Sequence, residues 1–284
     1  MKSVLLAVWT AGVMLVASIT GFAGDYADLK IIGFSADGQY LAFEESGAWD
    51  GSGGEYATTY YIDVDANKYA VPPTVFEWDM DGMKESVKRP LYLRYKREVA
   101  SRLSKLKILR GNTGQQVVAH LLNDWTYVPR GTRESYIVDS NGKSTDGPVT
   151  DFTGGMIRNG ADTETVIFNP MLWSYTQNTT DFYELTLTSS AVNSQESCSE
   201  GLRFELTVKD NTHHTDLPLQ VLQKDGPLTP ASRHCPYGYH IEQVYFYKDR
   251  LAVFINMFSQ GFEGPDMRYM TVTGLLEYEG IPRG

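Results

Sequence analysis

Cysteine is scarce in this chain: 284 residues hold two, Cys198 and Cys235, alongside five histidines. No third cysteine or suitably spaced histidine completes a zinc set, and His234 beside Cys235 lacks the second cysteine of a haem-attachment motif. His213 and His214 are adjacent, so a strand would send them to opposite faces, and Asp210-Asn211-Thr212 sets them beside a turn. His120, His234 and His240 are isolated and read as structural. Positive charge is short as well, with 25 Lys and Arg against 35 Asp and Glu, which sets most of the surface against nucleic acid. Strings for nucleophilic catalysis are incomplete. Gly33-Phe34-Ser35-Ala36-Asp37 misses the last glycine of a nucleophile elbow, and Ser140-Asn141-Gly142-Lys143 reads as a hairpin turn rather than the helix start that a Ser-x-x-Lys site needs. No catalytic residue and no metal site is assigned.

Apolar runs of membrane length are confined to the first 23 residues. Lys2, the run from Val4 to Val16 and the small-residue exit Gly21-Phe22-Ala23 predict a signal peptide over residues 1–23. The exported chain, 24–284, is then secreted or periplasmic and is read as one mainly β domain. No cysteine follows the exit, so a lipid anchor on cysteine is excluded. The competing reading is an uncleaved anchor helix over Val4 to Ala23. In an oxidising compartment Cys198 and Cys235 are expected to pair, closing a loop of about 37 residues at roughly 3–4 kcal/mol.

What the chain does have is aromatic: 18 Tyr, 12 Phe and 5 Trp, a usage that favours pleated sheet. Ile31 to Phe34 reads as a strand, Ala36-Asp37-Gly38 as a turn, and Tyr40 to Glu45 as the next strand. A loop with four glycines, Ser46 to Glu55, leads into Tyr56 to Val64 and a turn at Asp65-Ala66-Asn67. A shift of 210 positions lays Leu41-Ala42 on Leu251-Ala252, Gly51 on Gly261, Gly54 on Gly264 and Ile62 on Val272 without a gap, as a repeat architecture would. The second copy spans Ile241 to Gly274. A fainter third, at a shift of 86, sets Glu164 to Ser174 against Phe182 to Ser189. Gly33 to Phe43 with Tyr60 to Val64 resembles a blade of TolB-like and WD40-like propellers, although Ala36 stands where that motif has proline. The resemblance implies a propeller-like array of β-hairpins, with a β-sandwich as the alternative.

One segment departs from β. Lys84 to Arg110 holds ten basic residues against two acidic. Pro90 is placed at a first helical position, and Leu91, Tyr95, Val99, Leu103 and Leu106 fall on one helical face. Gln115 to Asn123 is ambiguous between strand and helix. The basic block leaves 14 basic against 33 acidic residues in the rest of the exported chain. It is therefore expected to dock on its own acidic domain. The alternative is a membrane or partner contact, offering Lys96, Arg97, Lys105 and Lys107 to an anionic surface.

Acidic residues gather around the first hairpin: Glu44, Glu45, Asp50, Glu55, Asp63 and Asp65. Of these Glu44, Asp50, Glu55 and Asp63 form a candidate ligand or calcium loop, without the spacing of a defined calcium motif. No other cofactor is indicated. Phe34 to Glu44 with Asp50 to Gly53, Ser232 to Cys235, Asp249 to Phe254 and Phe262 to Asp266 together resemble DUF2259, a family of predicted secreted bacterial proteins of unknown function. That resemblance implies export and a shared fold, and carries over no activity. The expectation is a non-catalytic envelope binding or scaffold protein. The alternative is a periplasmic hydrolase acting on carbohydrate or peptidoglycan through the first-hairpin carboxylates. Ligand, partner and oligomeric state are not legible.

Overall fold

A computed structural model describes residues 24–49, 52–80, 82–119, 162–168, 183–192, 201–210, 219–226, 233, 235–261 and 264–276. The leader 1–23, Asp50, His120, Ser140-Asn141-Gly142-Lys143, Cys198, His213, His214 and His234 lie outside these residues. Strands β1 (Asp28–Phe34), β2 (Tyr40–Ala48), β3 (Glu55–Asp63) and β4 (Lys68–Trp78) form an antiparallel meander in chain order. Helix α1 (Glu85–Lys105) and strand β5 (Gln115–Ala119) follow. Strands β6 (Asp162–Phe168), β7 (Tyr183–Ala191), β8 (Leu202–Asp210) and β9 (Gln220–Lys224) form a second meander. The last three, β10 (Gly238–Tyr247), β11 (Arg250–Gln260) and β12 (Pro265–Leu275), share a sheet with β5 in the order β5-β10-β11-β12. The molecule is mainly β, in three antiparallel sheets.

Alternation along β11 explains how the sheets stack. Leu251, Val253, Ile255 and Met257 pack with Leu185, Leu187, Phe204 and Leu206 of the β6–β9 sheet. Ala252 and Phe254 point the other way, into Phe34, Leu41, Phe43 and Ile62 of the β1–β4 sheet. Successive side chains of a strand face opposite ways, so a strand buried almost end to end must have a sheet on both faces. Phe254 is fully buried and meets Phe43 edge to face, centroids 5.2 Å apart, an arrangement worth about 0.5–1.5 kcal/mol beyond its area. The layers therefore run helix, N-terminal sheet, central sheet, third sheet.

The repeat read from the sequence has a structural signature. The register of β1 on β2 slips between Ile31 and Gly33, and that of β10 on β11 slips between Ile241 and Gln243, 210 positions later in each case. A bulge resets the alternation. Leu29 and Ile31 therefore share a face with Phe34, and Tyr239 and Ile241 share one with Val244. The hairpins themselves differ in register: Leu41 stands opposite Ile62, but Leu251 opposite Gly274. The third hairpin is also present, with Asp162–Phe168 antiparallel to Tyr183–Ser189.

No closed ring is formed among the described residues, and α1 takes the outer face of the N-terminal sheet. Strand β1 pairs with β2, and the preceding residue, Tyr26, bridges Met267 of β12 in parallel fashion. The outer edge of β1 is covered instead by the segment after the helix, through Leu109 N–H to the Phe34 carbonyl at 3.0 Å and Gly111 N–H to that of Ile32 at 2.9 Å, which hides an otherwise open edge. This approach demands Gly33, at φ 147°, because a Cβ there would stand 2.1 Å from the Leu109 carbonyl oxygen. Residues 115–119 are a strand, paired with β10.

Pro90 is not the first helical residue: α1 begins at Glu85 and carries Pro90 inside it. The proline forgoes one bond to the Ser86 carbonyl early in the helix. The apolar stripe is as read, with Tyr95, Val99 and Leu103 buried against Ala42, Tyr61, Phe76 and Trp78, and Leu91 and Leu106 at its margin. The helix is docked on the N-terminal sheet. Among the described residues no helix is long and apolar enough to cross a membrane.

Candidate functional site

Adjacent carboxylates on β2 meet opposite fates. Glu44 faces the helix, where it accepts the Tyr95 hydroxyl at 2.7 Å and stands 3.6 Å from Lys96 Nζ. With its hydroxyl hydrogen directed at Glu44, the Tyr95 oxygen accepts from Thr59 Oγ1 at 2.7 Å. Glu45 faces the central sheet, buried, accepting the Tyr269 backbone N–H at 3.0 Å with Arg268 Nε at 3.7 Å. Burial pushes its carboxyl up from the ordinary value, against the pull of the Tyr269 bond and of Arg268.

Above Glu45 opens a cleft of about 550 Å³ between the N-terminal sheet and β12, with Gln223 of the third sheet and Arg233 at its far side. Three rings climb one wall. Phe43 stacks on Tyr60 with centroids 4.8 Å apart, and Tyr60 on Tyr69 at 5.9 Å, both pairs within about 21° of parallel. These rings belong to neighbouring strands, since Phe43 stands opposite Tyr60 and Tyr69 opposite Ile62. Phe43 is in the core, whereas Tyr69 ends the series 58% exposed. Burial, and after it for both the Glu45 carboxylate, push the Tyr60 and Tyr69 hydroxyls up. Both are neutral donors across the physiological range.

The cations of the cleft differ in commitment. Arg268 gives Nη1 to the Asp25 carbonyl at 2.7 Å, approaches the Asp25 carboxylate at 3.3 Å and lies over the Tyr56 and Trp49 rings. Arg233 holds Asp225 in a two-pronged pair at 2.5 and 2.9 Å and covers the Phe204 ring. Lys68 has no ion-pair partner among the described residues. Glu45 is the one carboxylate of the described lining.

The geometry of the corner rests on Asn67, in the turn between β3 and β4 at φ 47°. Its Oδ1 accepts the Thr273 N–H at 2.9 Å, and its Nδ2 donates to Gln223 Oε1 at 2.8 Å. One left-handed turn residue thus touches all three sheets.

Of the acidic residues singled out in the sequence, Asp50 lies outside the described residues and the others are not brought together. Glu44 serves the helix, Glu55 pairs with Lys88 at 2.6 Å, and Asp63 caps its own turn by accepting the Ala66 N–H at 3.2 Å. Asp65 binds Arg250 through two bonds of 2.8 and 3.0 Å. Among the described residues no group of three or more His, Cys, Asp or Glu is placed to hold a metal. Of the expected anionic-surface residues, Lys96 is turned toward Glu44 and the Tyr92 and Tyr95 rings, while Arg97, Lys105 and Lys107 are exposed. Ser35 is a turn residue that donates to Asp37 Oδ1 at 2.5 Å. His240 is buried against Glu164 at 2.9 Å, and Glu164 also accepts the Ile241 N–H. Sequence reasoning missed Glu45 with Arg268, the Tyr60–Tyr69 stack and Asn67 as the corner. The one signal available was the alternation of β2, which separates Glu44 from Glu45.

No curated protein and no solved structure matches the chain. A family model described as "Predicted secreted protein (DUF2259)" matches residues 42–274, which takes in the cleft on both sides, and the chain belongs to that family of secreted proteins.

Proposed function

We propose that the protein is an exported, non-catalytic binding module that takes a ring-bearing, anionic ligand into the cleft above Glu45. The carrying observation is the aromatic series that ends at the exposed face of Tyr69 beside the uncommitted Lys68. A sugar or planar ring extends the stack on Tyr69, and an anionic group meets Lys68. Hydrolysis of a glycosidic bond ordinarily takes two carboxylates flanking it, and the described lining offers Glu45 alone, already held by Tyr269 and Arg268. The repeated bulge supports treating the sheets as propeller-like blades packed face to face, with the ligand at the rim between two of them.

Soluble peptidoglycan fragments, whose sugars and carboxylates supply both features, are the probe. Calorimetry should record binding, weakened about tenfold by Tyr69→Ala, a loss of about 1.4 kcal/mol. Mass spectrometry should find the fragments unchanged. Cleaved fragments, or affinity indifferent to Tyr69→Ala and Lys68→Gln, would reject the reading.

A further inference from the structure

The docked helix has a second face that the sheet does not use. Ser86, Pro90, Leu93 and Arg97 follow one another at four- and three-residue spacing on the side away from Tyr95, Val99 and Leu103, with Val87 at the margin of that line. All five are exposed, Leu93 at 49% of its surface and Val87 at 40%. Arg89 and Arg94 flank the line on either side. With Arg97 and Lys105 they have no ion-pair partner among the described residues. Of the helix's two acidic residues, Glu98 is bound to Arg102 at 2.6 Å, and Glu85 stands in the first turn.

We propose that this outward face binds the surface of an anionic lipid membrane. The helix lies in the interface plane, with Val87, Pro90 and Leu93 at the acyl boundary and the three arginines reaching the phosphates. A membrane accepts both halves of the face: apolar groups enter the headgroup layer, and arginine stems lie along it with their charges in water. Charge supplies the orientation. Outside Lys84 to Arg110 the exported chain has 33 acidic against 14 basic residues, so an anionic surface repels the rest of the molecule and attracts this layer. The cleft lies on the inner face of the same sheet and stays accessible.

The test is co-sedimentation of the exported chain with vesicles of phosphatidylglycerol and phosphatidylcholine, beside vesicles of phosphatidylcholine alone. Binding should require the anionic lipid and fall with added salt. It should drop on the order of a hundredfold when Arg89→Gln, Arg94→Gln and Arg97→Gln are combined, since each basic residue at an anionic surface is worth about fivefold. Lysine at the same three positions should retain it, Leu93→Ser should weaken it several-fold, and melting curves should stay put because the residues are exposed. Absence of binding, or binding indifferent to the triple glutamine variant, overturns the proposal. Binding that depends on the arginines but not on Leu93, and that is matched by poly-glutamate, assigns the face to an acidic macromolecule and overturns the lipid reading.

Discussion

Asn67 Oδ1 accepts the Thr273 backbone N–H at 2.9 Å and so ties the turn between β3 and β4 to the last strand of the central sheet. The same side chain reaches Gln223 on the third sheet at 2.8 Å. A single turn residue thereby sets the spacing of three layers at the mouth of the cleft, with its left-handed backbone, φ 47°, aiming the amide between them.

Two substitutions separate its roles. Asn67→Gly keeps a residue at ease with positive φ and loses the side-chain bonds, at about 1–2 kcal/mol. Asn67→Ala loses both and should cost about 1 kcal/mol more. Urea unfolding measures the difference, and equal losses would mean that the backbone conformation contributes nothing.

Glu45 should leave a mark on the pH dependence of stability. Its folded pKa is raised, chiefly by burial, so its contribution to folding is fully present below the unfolded value of about 4.3 and is lost as pH rises through the folded value. Glu45→Gln removes that dependence. The stability of the variant relative to the wild type should therefore increase from about pH 4 to about pH 7, as read from urea midpoints. A constant difference across that range would show that the Tyr269 bond and Arg268 compensate the burial in full.

Cys198 and Cys235 should be joined in the exported protein. Non-reducing peptide mapping tests the pairing, and reduction should lower stability by roughly 3–4 kcal/mol. Two free thiols after native purification would remove this staple from the segment leading into β10.

Features that repeat or alternate over short distances are written in the chain itself. The β2–β3 and β11–β12 hairpins, the 210-residue repeat, and the helical stripe of Tyr95, Val99 and Leu103 were all legible, because burial of one face imposes a period of 2 or 3.6 that a chain records locally. Pro90 was misplaced because a proline signals the beginning of a helix without counting the turns before it, and here α1 starts at Glu85. The site was decided by tertiary structure alone. Alternation sends Glu44 and Glu45 to opposite faces but does not say which one meets a helix and which a cleft. That depended on Arg268 and Tyr269, more than 200 positions away, being laid across β2 by the stacking of the central sheet. The clustered acids of the first hairpin looked like a site because they were close in sequence. The described ones, Glu44, Glu55, Asp63 and Asp65, are dispersed because a twisted sheet assigns neighbouring residues to different faces, edges and turns, where each meets its own cation or backbone donor.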